Sequence, residues 1–172
     1  MRRLAGIVAG MALMAGGAPA LAQAGPDKPL TTLGIAEVRA LATETGGVPG
    51  EVEHLDNNEY QIEIAYPDGL FVQFEGWSCT GEGEAKRCAE FMMHVNFELD
   101  SEAEALAMEH EVNIVWLSDM AIGNRLKVWR MDYLAGMTRG RMRGMFETFL
   151  STVGTARDIA FPAKGDGATG AK

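Results

Sequence analysis

The stretch that decides the fold is residues 60–99, which read YQIEIAYPDGLFVQFEGWSCTGEGEAKRCAEFMMHVNFEL. Apolar and polar residues alternate in three runs of this stretch. Such alternation is typical of β-strands that bury one face and expose the other to solvent. The turn Pro67-Asp68-Gly69 separates the first two runs, and a polar loop between Cys79 and Cys88 separates the second from the third. We therefore predict a three-stranded antiparallel meander whose apolar face is covered by helices.

The chain has two cysteines, Cys79 and Cys88, at the two ends of that loop. Their spacing is not the C-x-x-C of a thioredoxin-type redox motif. A zinc site needs about four ligands, and no histidine lies three to five residues from another histidine or from a cysteine. We therefore predict a structural disulfide, which contributes about 2.5–3 kcal/mol by the chain-entropy model, and expect no metal and no cofactor.

The first 24 residues have the three parts of an export signal. Arg2 and Arg3 give a positive start, residues 4–21 are apolar and uncharged, and Ala22 and Ala24 each close an A-x-A cleavage site. The alternative is a transmembrane anchor, which the weakly apolar Gly- and Ala-rich core and the absence of a second apolar span disfavour. We expect cleavage, export to the periplasm and no stable membrane anchor, in a compartment where cysteines oxidise.

The rest of the chain has the length of one domain. We predict a linker over residues 25–30, a single domain over residues 31–161 and a flexible tail over residues 162–172. We predict a helix over residues 33–45, which Thr31 or Thr32 can cap and which Gly46-Gly47 ends, and a short strand at residues 52–55.

Three further elements follow the meander. A capping box, Ser101 to Glu104, begins a second helix that ends near Trp116. Gly123-Asn124 forms the turn of a hairpin, and Thr138 caps a last helix. The apolar stripe of that helix is Met142, Met145, Phe146, Phe149, Leu150 and Val153. The predicted fold class is α+β, a twisted antiparallel sheet of about five or six strands with helices packed against it, in the order helix, strands, helix, hairpin, helix.

Charge and motifs limit the functions. The chain has a net charge of −9, and removing the two arginines of the signal makes it −11. Such an acidic body repels nucleic acid and anionic membranes, so no nucleic-acid partner is expected. The cysteine loop lacks the G-x-x-x-x-G-K pattern of a phosphate-binding loop, and neither G-x-S-x-G nor H-E-x-x-H occurs. We therefore expect no enzymatic activity.

A cluster of basic residues begins the last helix. Arg139, Arg141 and Arg143 crowd its first turns, where the helix dipole favours acidic residues. One interpretation is a cationic patch for an acidic partner. The other, which we favour, is pairing with the protein's own carboxylates, such as Asp132 or Glu147.

Polar and aromatic residues of the strands give further candidates. Glu63 and Glu75 lie on neighbouring strands, where we expect a solvated sheet face, and His94 is expected on the solvent side of its strand. Three aromatic residues fall between the apolar positions of the alternating pattern beside them, so they are candidates for exposed side chains: Phe71, Trp77 and Trp129. The alternative for these three is a second, smaller core.

The order of these elements resembles that of the exported members of the YbjN-domain family, bacterial proteins regarded as regulators of sensory transduction. The similarity extends over residues 31–161 and includes Asn113 in the second helix, Met131-Asp132-Tyr133-Leu134 at the end of the hairpin, and Phe146-Glu147-Thr148-Phe149-Leu150 in the last helix. Two positions depart from the family pattern: Val112 precedes Asn113 where members often have Trp, and Gly123-Asn124 replaces an acidic turn that contains glycine.

The resemblance implies a secretion-chaperone-like fold, whose members are binding proteins and often dimers. It gives no catalytic residues to assign to this chain. The sequence therefore favours an exported, non-enzymatic binding, chaperone-like or regulatory module that acts through protein–protein contacts. An unknown protein and a second copy of the chain are the expected partners. The alternative is a small-ligand-binding protein or an enzyme with a pocket between helix and sheet.

Overall fold

The computed structural model describes residues 28–111 and 117–161. The predicted signal peptide with Ala22 and Ala24, the tail over residues 162–172, and Asn113 with the end of the second helix lie outside the described residues. The described part is α+β, with three α-helices and a sheet of seven strands in antiparallel pairs. None of the described helices is long and apolar enough to cross a membrane.

The strands are numbered β1 to β9 and the helices α1 to α3 along the chain. They are β1 (Pro29–Leu30), β2 (Leu33–Gly34), α1 (Ile35–Glu44), β3 (Val48–His54), β4 (Tyr60–Ala65), β5 (Phe71–Thr80), β6 (Arg87–Glu98), α2 (Glu102–Glu111), β7 (Ser118–Ile122), β8 (Arg125–Tyr133), β9 (Met137–Thr138) and α3 (Arg139–Ala160). The main sheet has the order β3-β4-β5-β6-β8-β7, and β1 pairs with β9 apart from it.

The sheet is larger than the five or six strands predicted, because β2 pairs with one end of β6 and becomes the seventh strand. Pro29 and Leu30 lie in the predicted linker, but they form β1 opposite Thr138 and Met137. The folded domain therefore includes residues before position 31.

The predicted meander and hairpin are confirmed. Strands β4, β5 and β6 pair antiparallel in chain order, with Phe74 opposite both Ile62 and Met93. Strands β7 and β8 pair through the turn Gly123-Asn124, where Gly123 has a φ of 60° that favours glycine. The alternating pattern of residues 60–99 is thus enough to place the centre of the sheet.

All buried helix side chains lie in one core on one face of the sheet. The ring of Phe74 stacks on Phe91 and on Phe146 of α3, with centroids 5.6 and 5.8 Å apart. The predicted stripe of α3 is buried at Met142, Phe146, Phe149 and Val153 and half-buried at Met145 and Leu150. Burial of this stripe against the sheet holds the longest helix in place.

The first helix begins later than predicted. Neither Thr31 nor Thr32 caps it, because Leu33 and Gly34 pair with β6 instead. Gly34 is the N-cap, and its N–H donates to the Glu37 carboxylate at 2.7 Å. The end is as predicted, with Gly46 at a φ of 86°.

The caps of the other two helices follow the prediction closely. The Ser101 hydroxyl accepts from the Glu104 N–H at 3.2 Å, but the Glu104 carboxylate accepts from Asp100, not Ser101. Thr138 accepts from the Arg141 N–H at 3.2 Å and so caps α3.

Candidate functional site

The disulfide is present and belongs to the core. Cys79 and Cys88 lie opposite each other on β5 and β6, and their sulfurs are 1.92 Å apart. Cys88 belongs to the core cluster, where it is 1% exposed. A Cβ at Gly76 would lie 2.6 Å from the Cys88 sulfur. The disulfide therefore packs as a structural group, as the sequence predicts.

The other face of the sheet is the candidate functional site, and we call it the open face. Its side chains alternate with those of the core along each strand. They are Gln61 and Glu63 on β4, Phe71, Gln73, Glu75 and Trp77 on β5, Glu90, Met92, His94 and Asn96 on β6, Lys127, Trp129, Met131 and Tyr133 on β8, and Ser118, Met120 and Ile122 on β7. The buried side chains of α1 and α3 belong to the core on the opposite face, so neither helix packs on the open face.

A nearly buried carboxylate and imidazole lie at the centre of the open face. Nε2 of His94 is 2.8 Å from Oε1 of Glu75, and the two side chains are 7% and 13% exposed. Oε2 of the same carboxylate accepts from the indole N–H of Trp77 at 3.0 Å. Both oxygens of Glu75 are therefore engaged by side chains of the same face.

These contacts set the charge state of Glu75. Burial on its own raises the pKa of the carboxyl, but hydrogen bonds from His94 and Trp77, together with the charges of His94 and Lys127, outweigh it. The pKa of Glu75 consequently lies below its ordinary value of 4.5. Glu75 is therefore an anion at neutral pH, although it is nearly buried.

The other ring nitrogen of His94, Nδ1, does not take part in the contact with Glu75. Because the Glu75 carboxylate accepts, Nε2 of His94 is the donor of this hydrogen bond. Nδ1 is buried and has no hydrogen-bond partner among the described residues. Since solvent does not reach Nδ1, we interpret the Glu75–His94 pair as a fixed polar centre that orders the side chains around it.

Aromatic and sulfur-containing side chains surround this centre. Trp129 lies opposite His94, and Met92 lies opposite both Glu75 and Met131. Trp77 and Trp129 are half-buried, whereas Phe71 and Tyr133 are 54% and 65% exposed. Phe71 is exposed as expected, and the two tryptophans are exposed only in part.

The polar residues on the β4 side form a chain of hydrogen bonds. Gln61 donates to Gln73 at 2.8 Å, and Gln73 donates to Glu63 at 2.7 Å. Glu63 is exposed as expected, but it faces Gln73, not Glu75. The expectation of a solvated surface is wrong for Glu75 and His94, because the flanking side chains cover them.

The basic cluster of α3 is largely engaged by acidic side chains. Arg139 forms an ion pair with Glu44 of α1, and Arg143 pairs with Glu147 at 2.9 Å. Arg141 is exposed and donates only its backbone N–H, to Thr138. Asp132 pairs with Arg130 and not with an arginine of the cluster.

The described part has a groove away from the open face and a notch that borders the open face. A shallow groove of about 600 Å³ between α1 and β3 is lined by Arg39, residues 49–52 and Glu84, and Arg39 and Glu84 pair across it at 3.1 Å. A smaller notch of about 210 Å³ lies between the turn at Asp68 and the end of α3 at Phe161. Within residues 28–111 and 117–161, no cluster of three or more His, Cys, Asp or Glu side chains has the arrangement of a metal site.

Sequence reasoning missed the Glu75–His94 pair, although a signal was present. If Cys79 lies opposite Cys88, the same antiparallel register puts Gln73 opposite His94 and Glu75 opposite Met92. Glu75 and His94 are then diagonal neighbours on one face, which is within reach of long side chains. The disulfide prediction thus contained the register that brings them together.

Comparisons with known proteins leave the family open. No family model matches the chain, and no curated protein matches it. Among solved structures, the chain is similar to an uncharacterized protein from Methanothermobacter thermautotrophicus, with 10% sequence identity and a TM-score of 0.47. That match covers 72% of this chain and 96% of the other.

Proposed function

We propose that the protein is an exported, non-enzymatic binding module of the YbjN type with a secretion-chaperone-like fold. It acts in the periplasm by holding an extended, apolar segment of a partner protein on its open face. The observation that carries this proposal is the exposure of Phe71 and Tyr133, at 54% and 65%, beside the half-buried Trp77 and Trp129 on one face of the sheet. Aromatic side chains of this kind supply most of the energy of protein interfaces.

The chemistry of the face favours a polypeptide partner. Methionines adapt their shape to different apolar side chains, and Met92, Met131 and Met120 lie on this face next to the aromatic residues. The Gln61–Gln73 chain and Lys127 add hydrogen-bonding groups around the apolar strip. An apolar centre with a polar surround is the usual composition of a protein-binding surface.

The Glu75–His94 pair supports this role by limiting movement. Trp77 is hydrogen-bonded to Glu75, and Glu75 is hydrogen-bonded to His94 on the next strand. A binding surface whose side chains are ordered before binding loses less conformational entropy when the partner arrives. We therefore assign Glu75 and His94 as positioning residues of the open face.

Binding of a fluorescently labelled, permanently unfolded polypeptide with carboxymethylated cysteines tests the proposal, with anisotropy as the readout. The double variant Phe71→Ser/Tyr133→Ser should weaken binding by about tenfold or more. Ile159→Ser on α3 is the matched control, because Ile159 is an exposed apolar side chain away from the open face. Equal affinity of all three proteins, or no binding by the wild type, would contradict the proposal.

A second candidate is a small-ligand site in the groove between α1 and β3. Its support is the position of Arg39 and Glu84 across a concavity between helix and sheet. A ligand there would have to replace the Arg39–Glu84 pair. Thermal unfolding with a panel of small anions tests this candidate: a rise in Tm that Arg39→Ala abolishes would support it, and no shift would count against it.

A further inference from the structure

The two edges of the main sheet differ in how they are protected against strand pairing. Edge strand β3 contains Pro49 and the charged residues Glu51 and Glu53, and its register shifts between Pro49 and Val52. Proline, charge and bulges are the features that block an edge. Edge strand β7 has no proline, no basic residue and an unbroken register of five pairs with β8. It therefore has the backbone of an edge that accepts another strand.

Exposed apolar side chains lie on β7 and on α2, the helix that contacts β7. Met120 and Ile122 of β7 are 45% and 43% exposed on the open face. Helix α2 contacts β7, and its Leu106 is 50% exposed. Large exposed apolar side chains that cluster at one place mark an interaction surface.

We propose that β7 pairs antiparallel with β7 of a second copy, about a twofold axis at Met120. In this register Met120 lies opposite the partner subunit's Met120, and Ser118 lies opposite the partner subunit's Ile122. Asp119 is the one charged residue of β7, and it lies opposite the partner subunit's Ala121. No charge faces a like charge, which matters in a chain with a net charge of −9.

A second copy fits this edge because a twofold interface must be complementary to itself. The sequence Ser-Asp-Met-Ala-Ile meets that condition in the antiparallel register, since an apolar residue lies at its centre and its acid faces alanine. The pairing goes beyond the proposed function, because it uses backbone groups at the sheet edge and not the aromatic side chains of the open face. It would join the open faces of the two copies into one continuous surface.

The test uses sedimentation equilibrium of the full mature chain at micromolar concentration. We expect the wild type to dimerise and both Met120→Lys and Met120→Glu to raise the dimer Kd by about tenfold or more, because each puts like charges opposite each other. An equimolar mixture of the two variants should restore the dimer, since Lys then faces Glu. Val48→Lys on β3, where Val48 is 68% exposed, should leave the dimer unchanged.

Three results would contradict the β7–β7 pairing. A wild-type monomer would exclude it, and a dimer insensitive to both Met120 variants would place the interface elsewhere. If the variants are monomeric but their mixture stays monomeric, the twofold register at Met120 is wrong. Circular dichroism of each variant excludes unfolding as the cause. Sedimentation of Phe71→Ser/Tyr133→Ser separates this test from the proposed function, because that variant should lose binding of the unfolded polypeptide and still dimerise through β7.

Discussion

Nε2 of His94 lies 2.8 Å from the Glu75 carboxylate on a sheet face that carries neither α1 nor α3. The two residues are 19 positions apart in the chain, yet they are diagonal neighbours across the β5–β6 ladder. Their pairing keeps a charge nearly buried at the middle of the open face. It also connects the indole of Trp77 to the next strand.

Glu75 should make stability depend on pH in the acid range. Its folded-state pKa is below its ordinary value of 4.5, so it stabilises the fold above that value and the contribution is lost as the pH falls through the lowered pKa. Glu75→Gln should lower the free energy of unfolding by about 1–3 kcal/mol at neutral pH. Urea unfolding at a series of pH values should show that difference shrinking in acid.

The control for this series is Glu63→Gln. Glu63 lies on the same face but is exposed, and a surface interaction contributes about 0–1 kcal/mol. A Glu75→Gln profile parallel to that of the wild type at every pH would show that the carboxylate charge is not what stabilises the pair.

Removing the disulfide should destabilise the domain. Cys79→Ser/Cys88→Ser should lower the free energy of unfolding by about 2–5 kcal/mol, since Cys88 is also packed in the core. In the wild type, mass spectrometry after alkylation without reductant should find both cysteines unmodified. Alkylation of either cysteine would contradict the disulfide.

Gly76 should not tolerate a side chain. A Cβ at this position would meet the ring of Tyr60 and lie 2.6 Å from the Cys88 sulfur, so Gly76→Ala should cost about 1–3 kcal/mol through overpacking. Gly144→Ala is the matched control on α3, where no atom lies within 4 Å of the added Cβ. It should stabilise the protein by about 0.5–1 kcal/mol, because alanine favours a helix. Equal melting temperatures would refute the close packing at Gly76.

Export predicts a defined N-terminus. The mature protein isolated from a periplasmic fraction should begin at Gln23 or Gly25, according to whether the signal is cut after Ala22 or Ala24. Intact-mass measurement distinguishes the two. A protein that retains Met1 and remains in the cytoplasmic fraction would show that the export interpretation is wrong.

The parts of the fold that the sequence predicts well are those with a strict period. Residues 60–99 alternate, and they form three paired strands. The helical stripe from Met142 to Val153 is buried as its spacing requires. Short strands such as β2 have too few residues to show a period, so the sequence predicts a helix at Leu33 and Gly34, where the structure has a strand.

The candidate site could be predicted only in part. Phe71, Trp77 and Trp129 fell out of phase with the apolar set, which was enough to put them on the face away from the core. The burial of His94 was not predictable from its own strand, because it depends on Trp129 and Gln73 from two neighbouring strands. Burial of a polar residue is a property of the register, and it appears only when strands are aligned with each other.

The central claim, that the open face holds a partner protein, is tested most directly by site-specific photocross-linking in living cells. A photoreactive amino acid at position 71 replaces Phe71, which is 54% exposed on the open face, and the same amino acid at position 159 on α3 is the control. The account predicts cross-linked adducts to another periplasmic protein from position 71 and none from position 159. Adducts of equal yield from both positions, or none from position 71, would contradict it.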